Sequence, residues 1–300
     1  MAHMLTRNKT WDQGLSATDA ALDADALFEP QLTGTILPNG TVDDSSFTIY
    51  RDMADGTQVV LNAGVKEGYY AGSYQSLLNT AEAMFPESVT GMQTWDNGAV
   101  LVFTQDIEDT FSFGDGDSLT KHIMYTASLN STYKTKAIGF TFRPFCTNQE
   151  GQGTLQIAQK RTRNHDGLLF QKAQIMSSYA DAFDRFITNA TMLKGLPMTS
   201  GLRNTILDEV APLLDFDPDA NTKAQNAAQK RRDGIMYYYE EEASTFGHNA
   251  YSLYQAVQSY EYHIGTKGKS KQLKQVNVVS DPAKAQSLTI RTGDMLLASV

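Results

Sequence analysis

Between Lys121 and Lys172 the chain concentrates the residue types that hold nucleic acid. Eight cations, Lys121, Lys134, Lys136, Arg143, Lys160, Arg161, Arg163 and Lys172, stand against two carboxylates, Glu150 and Asp166. His122 and His165 lie beside them, and Tyr125, Tyr133, Phe140, Phe142 and Phe145 interleave. Phosphates attract Lys and Arg, and unstacked bases lie on aromatic faces, so a basic groove with interspersed rings suits a single strand. On this reading Lys134, Lys136, Arg143, Lys160, Arg161 and Arg163 are the candidate phosphate contacts. Tyr125 and Tyr133 are the candidate stacking faces, each worth ~1–3 kcal/mol per base. The competing reading puts the charges on a solvated surface and the rings, phenylalanines above all, in a strand core.

Other chemistry finds no support in the residue patterns. There is no phosphate-binding loop of the Walker type and no dinucleotide fingerprint after a strand. Metalloprotease, paired-cysteine and nucleophile-elbow patterns are absent as well. The five histidines, His3, His122, His165, His248 and His263, include no pair four residues apart, so no zinc site is expected. Asp215 to Asn221 has the look of a calcium loop but carries Ala220 where glycine is needed and Asn226 where a bidentate Glu is needed. Asp106, Glu108, Asp109, Asp115 and Asp117 read as a solvated acidic loop. The one cysteine, Cys146, reads as packing after a strand. The expectation is a protein without catalytic activity, metal or cofactor.

Charge is unevenly distributed. The 300 residues carry a net charge of -9, yet residues 1–119 hold 4 basic and 18 acidic side chains. Residues 120–235 hold 15 basic and 10 acidic ones. Such polarity fits one face that meets a polyanion and another that repels it or recruits a different partner. With 41% hydrophobic and 10% aromatic residues a sizeable core is within reach, which excludes wholesale disorder. No run approaches ~18 consecutive apolar residues and the first residues lack an apolar stretch, so neither a membrane span nor a secretory signal is expected. A single cysteine fits an intracellular chain.

These residues need elements to hold them. Ser16–Phe28 reads as a short acidic helix capped by Ser16 or Thr18 and ended by Pro30. Hairpins are expected around Asp55-Gly56, around Asp96-Asn97-Gly98 and between His122–Leu129 and Lys136–Phe142. A helix is expected at Ser76–Met84 and a further strand at Thr154–Lys160. Then the period changes: helices are expected at 168–193, 200–213, 221–243 and 249–264, a basic loop at 267–274 and a small strand within 288–300. Strands first and helices afterwards define an α+β fold. The expected arrangement is a single domain over 1–300. An antiparallel β-rich N-terminal lobe with hairpins (30–160) packs on a helical C-terminal lobe (165–265), and a basic loop and tail follow (266–300).

Four blocks resemble the phage/plasmid-like proteins that carry domain of unknown function 932. They are Thr10-Trp-Asp-Gln-Gly-Leu15, Gly68-Tyr-Tyr70 through Phe85, Arg143-Pro-Phe-Cys-Thr-Asn148 with Arg163-Asn-His165, and Asn249-Ala-Tyr251 through Val257 with Tyr260 to His263. Departures from the family pattern are Asp12 where a His is usual, Asn164 between Arg163 and His165, and Tyr262 in place of an Asp. The resemblance implies a phage or plasmid setting among DNA-metabolism genes, hence the cytoplasm of an infected bacterial host. It assigns no activity.

Residues and resemblance together lead to a single-stranded DNA-binding protein of phage replication, recombination or annealing, or transcription. The alternative is an interaction factor working through its acidic half, either a cofactor of phage RNA polymerase or replication proteins or an inhibitor of a host enzyme. Homo-oligomerisation is left open.

Overall fold

A computed structural model describes residues 7–143, 148–162, 165, 180–214, 222–264 and 288–300. The chain begins with strand β1 (Arg7–Leu15), helix α1 (Ala17–Asp23), and strands β2 (Gln31–Ile36), β3 (Val42–Asp52) and β4 (Gln58–Lys66). Helix α2 (Gln75–Met84) precedes strands β5 (Val89–Trp95), β6 (Val100–Ser112), β7 (Ser118–Ser128), β8 (Thr135–Arg143) and β9 (Asn148–Gln159). Helices α3 (Ala180–Gly195), α4 (Ser200–Val210), α5 (Thr222–Phe246), α6 (Ala250–His263) and α7 (Leu288–Leu297) follow. The fold is α+β, as the order of patterns requires. No described helix is long and apolar enough to cross a membrane.

Six strands form one sheet in the order β1-β5-β6-β7-β8-β9, and β2-β3-β4 form a second. By contact the chain divides into two compact units. The first holds Met1–Asp109, Lys121–Gly139 and Leu155–Tyr179, and the second holds Thr110–Thr120, Phe140–Thr154 and Ala180–Val300. Ile49, Leu78, Val100, Phe103, Ile123 and Ile138 are buried in the first unit. The second centres on Leu193, Ile206, Leu207, Ile235, Leu253, Val257 and Leu296.

Local chemistry explains several boundaries. Ser16 caps α1, its hydroxyl accepting from the Asp19 amide at 3.0 Å. The helix stops at Asp23, well before Pro30, because Asp25 takes φ +55 and is held there by Arg51, whose Nη2 donates to Asp25 Oδ1 at 2.9 Å. Strand β1, which sequence patterning did not foresee, pairs antiparallel with β5 and is irregular between Thr10 and Leu15. Gly14 permits that irregularity, since a Cβ there would stand 2.1 Å from the Glu87 carbonyl oxygen. Thr199 caps α4, its hydroxyl accepting from the Leu202 amide at 3.2 Å.

The C-terminal segment expected to be a strand is helix α7. Its buried residues, Thr289, Thr292, Gly293 and Leu296, recur at helical spacing, which period-2 reading of a short apolar run overlooks. The carboxylate of Glu261 caps it, accepting from the amides of Leu288 (3.1 Å) and Thr289 (3.2 Å). The expected loop at 267–274 and the first part of the helix expected from 168 lie outside the described residues.

The β5–β6 turn shows how tightly the first unit is built. Asp96, Asn97 and Gly98 all have positive φ, +54, +58 and +86. Arg51 Nη1 donates to the Asn97 carbonyl at 3.0 Å, and its guanidinium lies 4.0 Å over the Phe28 ring. A Cβ on Gly98 would meet Phe28 Cε1 at 2.7 Å and Arg51 Nη1 at 2.8 Å. Gly56 has a similar φ, +81, but open space around it. Gly98→Ala is therefore expected to lose ~2 kcal/mol or more, from backbone strain and displacement of Arg51, and Gly56→Ala only ~1 kcal/mol. Urea midpoints of the two variants measured side by side check the difference.

Candidate nucleic-acid interface

The sheet order brings the strands that carry most of the expected contacts together. Strands β7, β8 and β9 are successive neighbours at one edge of the six-stranded sheet. The β7–β8 hairpin closes through Ser128, whose hydroxyl donates to the Tyr133 carbonyl and accepts from the Tyr133 amide, both at 2.9 Å. Lys134 follows this turn and is exposed, Lys136 is half-buried in β8, and Lys160 is exposed just after β9. Lys134 and Lys160 have no side-chain partner among the described residues.

Three expected contacts are placed elsewhere, and the reason in each case is burial. Arg161 is 8% exposed. Its Nε donates to the Tyr70 carbonyl at 3.1 Å and its Nη2 to the Gly72 carbonyl, while the guanidinium lies over the rings of Tyr70 and Tyr74. On Tyr70 the His165 ring stacks at 5.0 Å, and His165 Nε2 meets Thr135 Oγ1 at 3.0 Å. Arg161 thus anchors the 69–72 segment and is closed to a phosphate. Tyr125 is 1% exposed and stacked on Phe103 at 4.6 Å, so its ring is core and not a base platform. Burial pushes its phenol well above the ordinary range.

Arg143 is 1% exposed and forms the centre of an ion-pair network in the second unit. Its Nε and Nη2 grip the two carboxylate oxygens of Asp117 at 2.6 and 2.9 Å, and Nη1 donates to Glu242 Oε2 at 2.6 Å. Lys194 Nζ reaches Asp117 Oδ2 at 2.8 Å and Asp115 Oδ2 at 2.7 Å. Both cations lie over the rings of Phe246 and Tyr251. The Asp115 and Asp117 carboxylates, expected in a solvated loop, are structural partners. Arg163 and Cys146 lie outside the described residues.

Tyr133, unlike Tyr125, is not fully buried. It is half-buried, edge-on to Trp95 at 6.2 Å, and burial pushes its phenol up to about 12. Sequence reading placed a helix at 221–243 but singled out no cation on it. Lys223, Lys230 and Arg231 are exposed there, and Tyr237 is 61% exposed. Lys223, Lys230 and Tyr237 are spaced seven apart and so share one face. A count of cations at heptad spacing would have found this stripe.

A buried charge left without its partner is far costlier than an exposed lysine removed. Arg143→Met is expected to lose ~3–5 kcal/mol, because Asp117 and Glu242 stay buried, whereas Lys134→Ala stays within ~0.5 kcal/mol. Burial acts to raise the Asp115 carboxyl, but Lys194 and the Asp117 amide outweigh it and hold it below the ordinary value. That stabilisation is complete above the unfolded pKa of about 3.9 and is lost as pH falls through the lower folded value. Lys194→Met is accordingly expected to cost more stability at about pH 7 than at about pH 3, as read from urea midpoints.

Comparison with known sequences bears on the frame around these residues. The profile of a family described as domain of unknown function (DUF932) matches residues 73–288. The match covers Lys134, Lys136 and Lys160 as well as the Arg143 network. No curated protein and no solved structure matches the chain. With more than two thirds of its length inside that match, the chain belongs to the DUF932 family.

Proposed function

We propose that this chain is a phage-encoded single-stranded DNA-binding protein acting in replication, recombination or transcription inside an infected bacterial cell. One observation carries the reading. The fold commits Arg143 and Arg161 to its interior, while Lys134 and Lys160 stand exposed and unpaired among the described residues, at the ends of neighbouring strands. A surface lysine without a partner contributes little to folding, and a pair of them beside Lys136 and the half-buried Tyr133 ring supplies what a phosphodiester strand needs. Lys223, Lys230 and Arg231 on α5 are a further set of exposed cations.

A second reading, an interaction factor without DNA affinity, draws on the three-stranded sheet. Ile36 and Val42, paired across β2 and β3, are each more than half exposed, and the exposed Asp44 lies two residues farther along β3. Aliphatic patches rimmed by charge mark protein contacts. A phage RNA polymerase cofactor or an inhibitor of a host enzyme would use such a face.

Fluorescence anisotropy with single-stranded and duplex oligonucleotides of ~30 nucleotides, at two salt concentrations, separates the readings. The single strand is expected to bind at micromolar protein or tighter, with a log–log salt slope of ~0.7 per neutralised phosphate. Lys134→Glu with Lys160→Glu is expected to weaken binding at least tenfold and to flatten that slope. Absence of binding at low salt would refute the first reading and favour the second. Wild-type affinity in the double variant would remove the β7–β9 edge as the site.

A further inference from the structure

A cleft of about 380 Å³ opens in the second unit between the C-terminal half of α5 and the end of α6. Its size is within the ~300–1,000 Å³ of small-molecule sites. We propose that it binds an organic cation: a guanidinium or primary ammonium group. The inference is independent of the nucleic-acid reading, which would survive its failure.

Acceptors stand around an aromatic face in the lining, which Ser259 and His263 complete. Glu241 and Glu242 supply carboxylates. Arg143 holds Glu242 through Oε2 at 2.6 Å, which fixes that side chain. The two hydroxyls at the rim are held as acceptors. Ser244 Oγ donates to the Glu241 carbonyl at 2.8 Å and Thr245 Oγ1 to the same carbonyl at 3.4 Å. A hydroxyl carries one proton, so only lone pairs remain for a visitor. Tyr238 contributes its ring, with His263 at 6.3 Å and tilted by 41°. Guanidinium has five donors and no acceptor, ammonium three donors and no acceptor, and both are attracted to the face of a tyrosine.

The sequence bears a local cost at the same place. Glu240, Glu241 and Glu242 are consecutive, near the C-terminal end of a 25-residue helix whose last turn holds no basic residue. Carboxylates are disfavoured at that end, where backbone carbonyls add negative potential. Such local rule-breaking concentrates at functional sites. Arg143 already meets Glu242, so Glu241, exposed and bonded to the Tyr237 hydroxyl, is the carboxylate an arriving cation would reach.

Isothermal titration of the full chain tests this with three probes: acetyl-Gly-Arg-Gly-amide, its citrulline counterpart, and agmatine. Citrulline keeps the shape of arginine and removes its charge. The arginine peptide or agmatine is expected to bind saturably, and the citrulline peptide at least tenfold more weakly. Glu241→Gln is expected to weaken arginine-peptide binding about tenfold. Glu240→Gln, which lies off the cleft, is expected to change it less than twofold. Glu241 is exposed and bonded by its side chain to Tyr237, so the variant keeps the fold, and circular dichroism verifies that. A peptide that binds tenfold more tightly than agmatine assigns the cleft to an arginine side chain of a protein partner. Agmatine binding as tightly or more tightly assigns it to a free amine. Equal affinity for the arginine and citrulline peptides, equal loss in both Glu→Gln variants, or no binding by about 10 mM probe overturns the proposal.

Discussion

The second unit is organised around a guanidinium kept out of water. Arg143 reaches Asp117 with two nitrogens and Glu242 with the third, and the network extends through Asp117 to Lys194. Removing such charges from water costs several kcal/mol per ion, and only near-ideal geometry offsets this. Here the geometry is supplied by four separate pieces of chain. The 113–117 loop, the end of β8, the last turn of α3 and helix α5 must all be in place before any member is satisfied. The rings of Phe246 and Tyr251 close over both cations and exclude solvent. A network of this kind contributes more to uniqueness than to raw stability, since alternative packings leave a charge stranded.

The same constraint divides the chain's cations into two populations. Arg161 does in the first unit what Arg143 does in the second, with backbone carbonyls in place of carboxylates. Arginine suits both sites because its fork makes several fixed bonds at once. The lysines of the basic stretch, with one flexible ammonium each, are left toward the surface at Lys134 and Lys160. Within the basic stretch, Arg143 and Arg161 are therefore interior, while Lys134 and Lys160 face solvent.

That division was the part of the candidate site that sequence reasoning could not reach. Turns were legible because their chemistry is local. Asp55-Gly56 and Asp96-Asn97-Gly98 declare left-handed backbone in two or three residues, and the strands flanking them were found. Amphipathic helices such as α6 were legible for the same reason, since Ala250, Leu253 and Val257 repeat within one element. Arg143 was not, because its partners lie 26 and 99 residues away and nothing near it signals burial. Tyr125 looked like Tyr133 in sequence. Only Phe103 on the neighbouring strand decides that one is core and the other half-open. Helix α7 was misread because its short apolar run was taken at strand period, although Thr289, Thr292, Gly293 and Leu296 recur at helical spacing.

On the proposed reading, an acidic chain that meets a polyanion faces its own field, and ionic strength decides how much that matters. At about 0.15 M salt the screening length is ~8 Å, so carboxylates farther than that from Lys134 and Lys160 scarcely oppose an approaching phosphate. At about 0.01 M it is ~30 Å, so any carboxylate of residues 1–119 within that reach adds repulsion. Salt then acts in two directions. It weakens the phosphate contacts by competing with counterion release, and it relieves the long-range repulsion. The logarithmic salt dependence of such a protein is consequently curved, shallow at low salt and approaching the slope set by the phosphate contacts at higher salt. A basic protein with the same contacts lacks the shallow limb. The curvature reports the acidic half, and the limiting slope reports the cations the fold leaves exposed.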